Sequence, residues 1–222
     1  MPSPSLTLQA AVAGLVVVAV LLTQLDLLRA FEVVEPVTLY AVQSFFIAVF
    51  AAAVGLQRGD AGLFVIAALT LVVKVWLVQK LLRAVIARAG VGIVIPMVIN
   101  VPLSLLIGLA LTGIAFIAAQ PLPLAGQFLP RSALAASFAI LLIGFQVMAT
   151  RQHVVTQIVA LLTQENGGFL ATIAIAPGLP PLVAVLILFD VLIAVVVFGV
   201  LVRLLNARAD TATTERLTQL QG

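Results

Sequence analysis

Three ionisable side chains lie inside long apolar runs of this sequence, where they could support proton or cation transfer. They are Lys74, Glu165 and Asp190. Desolvation favours the neutral form of a buried acid, whereas a nearby lysine favours the carboxylate. Because these two effects oppose each other, they can bring the titration of the acid toward neutral pH. Buried carboxylates of this kind can exchange protons along a chain of polar side chains and water molecules.

The composition indicates that these charges lie in a lipid bilayer. Of the 222 residues, 64% are hydrophobic and 9% are charged, and the mean hydropathy is +1.30. The basic residues flank apolar runs, which is typical of membrane topology and not of nucleic-acid binding, so we expect no nucleic-acid partner. The chain has no cysteine and one histidine. The sequence therefore predicts no metal site, and we expect no cofactor.

Seven apolar runs are long enough to cross a bilayer, which takes about 20 residues in a helix. They cover residues 8–26, 36–56, 61–82, 92–119, 132–150, 153–176 and 181–205. The fourth run contains Pro96, Asn100 and Pro102, so we expect this helix to be kinked or split. The sequence therefore predicts an all-α fold, a polytopic membrane helix bundle with about seven transmembrane helices.

The distribution of basic residues between the loops predicts the orientation of the bundle. Cytoplasmic loops of membrane proteins carry an excess of Lys and Arg. The loops after spans 1, 3 and 5, together with the C-terminal segment, hold Arg29, Lys80, Arg83, Arg88, Arg151, Arg203, Arg208 and Arg216. The opposite side holds Arg58 and Arg131. We therefore expect the N-terminus outside and the C-terminus in the cytoplasm.

The three buried charges are expected near the middle of the membrane. At about 1.5 Å per helical residue, each lies roughly 14–20 Å from the surface at which its helix enters a core about 30 Å thick. Each such charge costs roughly 2.5–3.5 kcal/mol at a helix centre. One interpretation is structural: Lys74 neutralises one acid, the other stays protonated or hydrogen-bonded, and the charges fix the helix register. The other interpretation is a proton or cation relay.

The sixth span carries further polar side chains that could extend a relay. His153, Gln157 and Gln164 lie on nearly one helix face, and Glu165 follows one position round the helix. These residues could form a polar stripe from the cytoplasmic end to Glu165. A solvated position beside Arg151 would also account for His153.

The residues next to the acid of the sixth span predict how its helix meets its neighbours. Asn166 follows the acid directly, and Gln43 in the second span could hydrogen-bond across helices, as part of the packing or of a relay. Gly167 and Gly168 remove side-chain bulk. They predict either a close helix approach or a local π-type distortion next to the charge.

Several segments resemble the E component of hydrogenase 4, a membrane family of formate hydrogenlyase-type and other complex-I-like nickel–iron hydrogenase assemblies. The similarity covers "LLTQENGGFLATIAIAPGLPPLVAVLILFDVLIAVVVFGVLVRLL" (161–205) and the ending "TTERLTQLQG" (213–222). It is most specific at "ENG" (165–167) and at Asp190, and weaker at "YAVQS" (40–44) and "VKVWLV" (73–78).

The resemblance implies a division of the chain. Residues 1–131 would form a four-helix membrane scaffold, and residues 207–222 a cytoplasmic tail. Residues 132–206 are similar to the three-helix K subunit of complex I and to the C subunit of multisubunit sodium/proton antiporters. Those relatives carry a buried acid in their second and third helices, at the positions of Glu165 and Asp190. The aspartate is a departure, because the complex I subunit has a glutamate there.

The resemblance also implies partners and a location. The partners would be the hydrogenase large and small subunits, a heel-type membrane subunit and antiporter-like membrane subunits. The complex would lie in the inner (cytoplasmic) membrane of a prokaryote. This chain would be a non-catalytic subunit without redox chemistry of its own. It would contribute Glu165 and Asp190, with Lys74, to a proton or sodium path.

Other functional classes remain open on the sequence alone. They are a subunit of a cation/proton antiporter, a small-solute secondary transporter, and a structural membrane scaffold. A transporter would normally show internal repeats and more broken helices bearing polar groups, and the sequence shows no clear repeat. A retinal protein would place its lysine in the seventh helix within an aromatic pocket, whereas this seventh span carries Asp190 and the chain has one Trp and one Tyr.

Overall fold

The computed structural model describes residues 4–89, 94–122, 131–175 and 199. In this part of the chain the regular structure is helical. The helices are α1 (Pro4–Leu27), α2 (Val34–Arg58), α3 (Ala61–Thr70), the π-helix π1 (Leu71–Val78), α4 (Gln79–Ala89), α5 (Val101–Ala119), α6 (Arg131–Thr150) and α7 (Val154–Ile175).

Four of the described helical stretches are long and apolar enough to cross a membrane. They are Val34–Leu56, Ala61–Ala84, Val101–Ala119 and Arg131–Thr150, and Ala13–Leu27 forms a shorter apolar helix. Many large apolar side chains on these helices are exposed, for example Leu106 and Ile117 of α5. The prediction of an all-helical membrane protein is therefore confirmed. The predicted seventh span, 181–205, lies outside the described residues.

The third span is a continuous rod built from α3, π1 and α4. Gly59 ends α2 with a φ of 64°, and the Asp60 side chain accepts a hydrogen bond of 2.8 Å from the backbone N–H of Gly62, which starts α3. Eight residues in the middle of the rod, 71–78, are π-helical. A π-helix places more than 3.6 residues in each turn, so it rotates the following side chains relative to a regular α-helix.

The fourth predicted span is helical only from Val101, so the disturbance that its prolines predict lies at one end and leaves the helix body regular. The helix starts at Val101 and not at the predicted residue 92, because the Asn100 side chain caps it with a hydrogen bond of 3.0 Å from the N–H of Leu103. Pro102 fits the first turn, where no intrahelical N–H partner is needed. Residues 94–100 are not helical.

The non-helical residues 94–100 are held by backbone hydrogen bonds to two interhelical connections. The N–H of Ile95 donates to the carbonyl of Phe31 at 2.8 Å, and the N–H of Val98 donates to the carbonyl of Thr150 at 3.0 Å. The N–H of Gln152 donates to Pro96 in return, at 3.2 Å. Segments 28–33, 94–100 and 151–153 thus meet at one end of the bundle, which we call the junction end.

The helices pack around α2 and α6. Helix α6 contacts α1, α5 and α7, and α2 contacts α1, α3, π1, α4 and α7. The buried apolar residues form two clusters, one near the junction end and one further from it. The junction cluster includes Leu27, Tyr40 and Val155, and the distal cluster includes Ile47 and Leu170. Each cluster contains residues of the predicted scaffold (1–131) and of the predicted three-helix part (132–206).

Candidate functional site

A layer of buried polar side chains separates the two apolar clusters. Along α1, α2 and α7 the chain passes from one cluster to the other, and the polar residues occur at the crossing point of each helix. The layer consists of Gln24, Gln43, Ser44, Lys74, Thr163, Glu165 and Asn166, each of them 7% exposed or less. A buried position inside the bundle is unfavourable for polar groups that have no partner.

An ion pair between π1 and α7 forms the charged part of this layer. The Nζ of Lys74 lies 3.3 Å from the Oε1 of Glu165, and the two side chains are 6% and 4% exposed. At this separation, and with an effective dielectric constant of about 20, the attraction is about 5 kcal/mol before desolvation is subtracted. Lys74 and Glu165 are thus charge partners across two helices, as the structural interpretation of the sequence requires and as a relay also allows.

The lysine is held by a second residue of α7. The Nζ of Lys74 donates a hydrogen bond of 3.2 Å to the Oδ1 of Asn166. Consecutive residues of an α-helix point about 100° apart. Glu165 and Asn166 can therefore both face π1, while the amide nitrogen of Asn166 is directed toward α2.

Hydrogen bonds extend the layer from Asn166 to α2 and α1. The Nδ2 of Asn166 donates to the Oγ of Ser44 at 2.9 Å and to the Oε1 of Gln43 at 3.1 Å. The Nε2 of Gln43 then donates to the Oε1 of Gln24 at 2.8 Å. Gln43 therefore does hydrogen-bond across helices, as its sequence position predicts. The result is one connected path of polar groups from π1 through α7 and α2 to α1.

The π-type distortion lies in a different helix from the one expected. The prediction placed it at Gly167 and Gly168, but α7 is a regular α-helix over these residues, and the π-helix contains Lys74. The alternative prediction for this glycine pair, a close helix approach, is confirmed at Gly167. A Cβ at Gly167 would lie 3.0 Å from the Cγ2 of Ile140 and 3.1 Å from the carbonyl oxygen of Ser137 on α6.

Three predicted accessory residues lie on α7 or just before it, and the described hydrogen bonds do not connect them to Glu165. The Nε2 of Gln164 donates to the carbonyl of Leu141 at 3.3 Å, and that of Gln157 donates to the carbonyl of Arg151 at 3.0 Å. Burial lowers the pKa of His153, which precedes α7, so its imidazole is neutral at pH 7. A role of these side chains in a relay stays a prediction.

Three members of the polar layer were not predicted as site residues from the sequence: Gln24, Ser44 and Thr163. Ser44 is too small and too common in membrane helices to stand out. Gln24 did carry a signal, since it is a strongly polar residue inside the predicted first span. Its importance depends on which neighbour it meets. Asp190, the other predicted acid of the site, lies outside the described residues.

A second buried polar cluster lies at the junction end. Arg151 is 1% exposed, and its guanidinium donates from Nη2 to the carbonyl of Leu28 and, at 3.3 Å, to the Oγ of Ser104. The Nε2 of Gln146 donates to the carbonyl of Ser104 at 2.7 Å. Burial lowers the pKa of Arg151, but a guanidinium remains cationic at neutral pH. Arg151 was placed in the loop after the fifth predicted span, yet it is buried and joins the residue after α1 to Ser104 of α5.

Comparison with known proteins finds a relative along nearly the whole chain. No protein-family model matches the chain, and no solved structure matches it. The sequence is 32% identical over 218 residues to "Uncharacterized protein Rv0085" of Mycobacterium tuberculosis (strain ATCC 25618 / H37Rv). The match covers 98% of this chain and 97% of that protein. The chain therefore belongs to the same family as this mycobacterial protein.

Proposed function

We propose that the chain is a membrane subunit of a complex-I-like membrane-bound nickel–iron hydrogenase or a related respiratory complex. It contributes buried carboxylates to proton or sodium translocation, and the redox chemistry that drives the transport takes place in other subunits. Glu165 and Asp190 exchange the ion, and Lys74 supplies the compensating positive charge. The complex lies in the inner membrane of a prokaryote.

The Lys74–Glu165 pair is the observation that carries this proposal. Its atoms lie 3.3 Å apart in the middle of two helices, and the rest of the polar layer connects it to α1 and α2. The paired carboxylate can take up a proton and release it again, because the lysine stabilises the ionised form while desolvation stabilises the neutral form. Buried ionisable groups that pair with one another inside a membrane bundle are typical of proton relays and ion pathways.

The resemblance of residues 161–222 to the hydrogenase 4 E component supports the choice of parent complex. The "ENG" of that resemblance contains Glu165 and Asn166, two residues that contact Lys74. The partners in this proposal are the hydrogenase large and small subunits, a heel-type membrane subunit and antiporter-like membrane subunits. The exposed apolar side chains of α5 and π1 are available for contact with lipid or with such membrane subunits.

The proposed topology has seven transmembrane helices, an outside N-terminus and a cytoplasmic C-terminus. The meeting of segments 28–33, 94–100 and 151–153 at the junction end supports it, because the first and third of these are the connections that follow the first and fifth predicted spans. An alternating path of the helices brings such connections to the same side. The excess of basic residues on that side assigns it to the cytoplasm in this proposal.

A structural scaffold is the second candidate, and the hydrogen bonds of the polar layer favour it. The amides of Gln24, Gln43 and Asn166 each donate and accept within the layer. A satisfied buried network fixes the mutual rotation of helices whether or not ions move through it. The scaffold and the relay differ in one respect: only the relay needs Glu165 to change its protonation state.

Replacing Glu165 by glutamine tests this difference. We expect Glu165→Gln to assemble normally, because the amide keeps the shape and the hydrogen-bonding capacity of the carboxyl group. The ion-coupled activity of the purified complex in proteoliposomes should fall by about 100-fold or more, since the amide does not titrate. Glu32→Gln is the matched control, because Glu32 is an exposed acid outside the polar layer. Wild-type proton pumping in a well-assembled Glu165→Gln complex would refute the relay.

The second acid is tested in the same assay. We expect Asp190→Asn to lose coupling, and Asp190→Glu to keep part of it, because the glutamate restores the acid of the complex I relative. If Asp190→Glu is as damaging as Asp190→Asn, the position of the carboxylate matters more than its presence. The parent complex is identified by the subunits that co-purify in mild detergent. A nickel-binding large subunit among them is the expected result, and its consistent absence would contradict the hydrogenase assignment.

A further inference from the structure

The three amides of the polar layer form a chain with a fixed direction. In each link the amide nitrogen of one residue donates to the amide oxygen of the next, in the order Asn166, Gln43, Gln24. The orientation of a side-chain amide follows from the partners at its two ends, because its oxygen only accepts and its nitrogen only donates. The groups at the two ends of this chain therefore determine the orientation of all three amides.

The end at α1 accepts hydrogen bonds. The Nε2 of Gln24 donates to the carbonyl of Ile140 at 3.3 Å, and a carbonyl cannot donate. The same nitrogen lies 3.5 Å from the Oγ1 of Thr163. That hydroxyl already donates its proton to the carbonyl of Ala160 at 2.8 Å, so it accepts from Gln24. A reversed Gln24 would point its oxygen at two acceptors, and Gln24 must therefore direct its oxygen toward Gln43.

The end at π1 donates hydrogen bonds. The ammonium group of Lys74 has protons and no acceptor, and it binds the Oδ1 of Asn166 at 3.2 Å. Ser44, the other partner of Asn166, accepts from its Nδ2 at 2.9 Å. With both ends fixed, the oxygen of each amide lies on the side of the chain that faces Lys74. Three aligned dipoles thus turn their negative ends toward the lysine, and aligned hydrogen bonds polarise one another.

We propose that Gln24, Gln43 and Asn166 are positioning residues that hold Lys74 in its charged form beside Glu165. Lys74 is then a fixed counter-charge, and Glu165 is the member of the pair that exchanges its proton. This refinement rests on the proposed function only for the part played by Glu165; the effect on Lys74 follows from the hydrogen bonds alone. A neutral Lys74 would lose attraction to both the carboxylate and the aligned amide oxygens.

The proposal predicts that Gln24 influences the charge of Lys74 from a distance, because Gln43 and Asn166 lie between the two residues in the row of hydrogen-bonded amides. Replacing Gln24 by methionine removes the acceptor of the Gln43 nitrogen. Gln43 becomes free to turn, and a turned Gln43 presents its nitrogen to that of Asn166, which weakens the hydrogen bond between Asn166 and the lysine. Replacing Gln24 by glutamate keeps an acceptor for Gln43 in either protonation state, so the direction of the chain is preserved.

The charge of Lys74 can be read directly by solid-state NMR. The chain contains two lysines, Lys74 and Lys80. In the full-length chain labelled with ¹⁵N-lysine and reconstituted in lipid bilayers, a Lys80→Arg background leaves one Nζ signal. Arginine keeps a cation above the Trp76 ring, which Lys80 occupies at 4.2 Å from the ring centroid. The Nζ signal distinguishes ammonium from amine and is followed from neutral to strongly alkaline pH.

We expect Gln24→Met to lower the midpoint for loss of the ammonium signal by about one pH unit, which is the effect of losing one hydrogen bond to a charged group. Gln24→Glu should keep the wild-type midpoint or raise it. The control is Gln146→Met, which removes a glutamine of the buried polar cluster at the junction end, where its Nε2 donates to the carbonyl of Ser104. This control should leave the midpoint unchanged. Migration of each variant in size-exclusion chromatography reports whether it folds.

An unchanged midpoint in a folded Gln24→Met variant would overturn the proposal, and so would an equal decrease in Gln24→Glu. If Gln24→Met does not fold, Gln43→Met provides the same measurement one link closer to the lysine, with the same expected decrease. The titration does not measure transport. Normal pumping by a Glu165→Gln complex would refute the proposed relay. It would not test whether the charge of Lys74 depends on Gln24, which only the titration measures.

Discussion

The energetic coupling between Lys74 and Glu165 is the most direct test of the site. Replacing Lys74 by methionine keeps most of the length of the side chain and leaves the Oε1 of Glu165 buried without the charge that lies 3.3 Å away. Removal of one partner from a buried ion pair typically costs about 3–5 kcal/mol. Glu165→Met should cost a similar amount, because it leaves the ammonium group of Lys74 buried beside the neutral oxygen of Asn166.

The double variant Lys74→Met/Glu165→Met measures the interaction between the two side chains separately from their interactions with the surroundings. Buried ion pairs replaced by apolar residues of similar volume are often neutral in stability, since the desolvation of both charges is removed together with their attraction. We therefore expect the double variant to be more stable than the sum of the single effects implies, by about 5 kcal/mol. This coupling is close to the gross attraction, because the desolvation of each side chain occurs in its single variant and in the double variant and therefore cancels in the comparison.

Reversible unfolding of the purified chain in mixed micelles provides the measurement. The chain has one tryptophan, Trp76, two residues from Lys74 on the same π-helix, so its fluorescence reports the local structure. Far-ultraviolet circular dichroism gives the global transition for comparison. If the single effects add to within about 0.5 kcal/mol, the two residues are not coupled and the ion pair does not stabilise the fold.

Two further predictions concern helix packing and the C-terminal segment. Gly167→Ala should destabilise the protein by about 1–3 kcal/mol, because its Cβ would meet Ile140 at 3.0 Å. Gly168→Ala has open space at that position and should be neutral or up to about 1 kcal/mol more stable. The opposite order in the same unfolding assay would contradict the close approach of α7 to α6. Deleting residues 211–222 should leave membrane insertion intact, because every predicted span is retained, but loosen the proposed peripheral hydrogenase subunits. Unchanged co-purification of those subunits from the truncated protein would show that the segment does not anchor them.

Most of the fold class followed from local composition. Apolar runs of about 20 residues predict membrane helices because the transfer of each residue into hydrocarbon depends mainly on its own side chain. The interruption before the fifth helix was likewise readable, since Asn100 and Pro102 act on the backbone next to them. The contacts of the interrupting segment could not be predicted, because residues 94–100 bind two connections that lie far away in the sequence.

The polar residues that form the site could be predicted from the sequence only in part. Lys74 and Glu165 stood out because charges are rare and costly in apolar helices. Gln24 and Arg151 did not stand out in the same way, since a single glutamine in a helix or an arginine in a loop is common. Their burial arises from contacts with other helices, which place Gln24 against Gln43 and Arg151 against the end of α1.

The sequence by itself determined that the chain enters a membrane and that it carries charges there. Both properties are sums over neighbouring residues, so they do not depend on how the helices are arranged. Which charges and amides meet is a different matter, because it depends on the rotation of each helix about its axis. The π-helix at 71–78 changes that rotation for Lys74, and the approach of α7 to α6 at Gly167 sets it for Glu165 and Asn166. Only the packing of these helices against one another brings Lys74, Glu165 and the amide chain together.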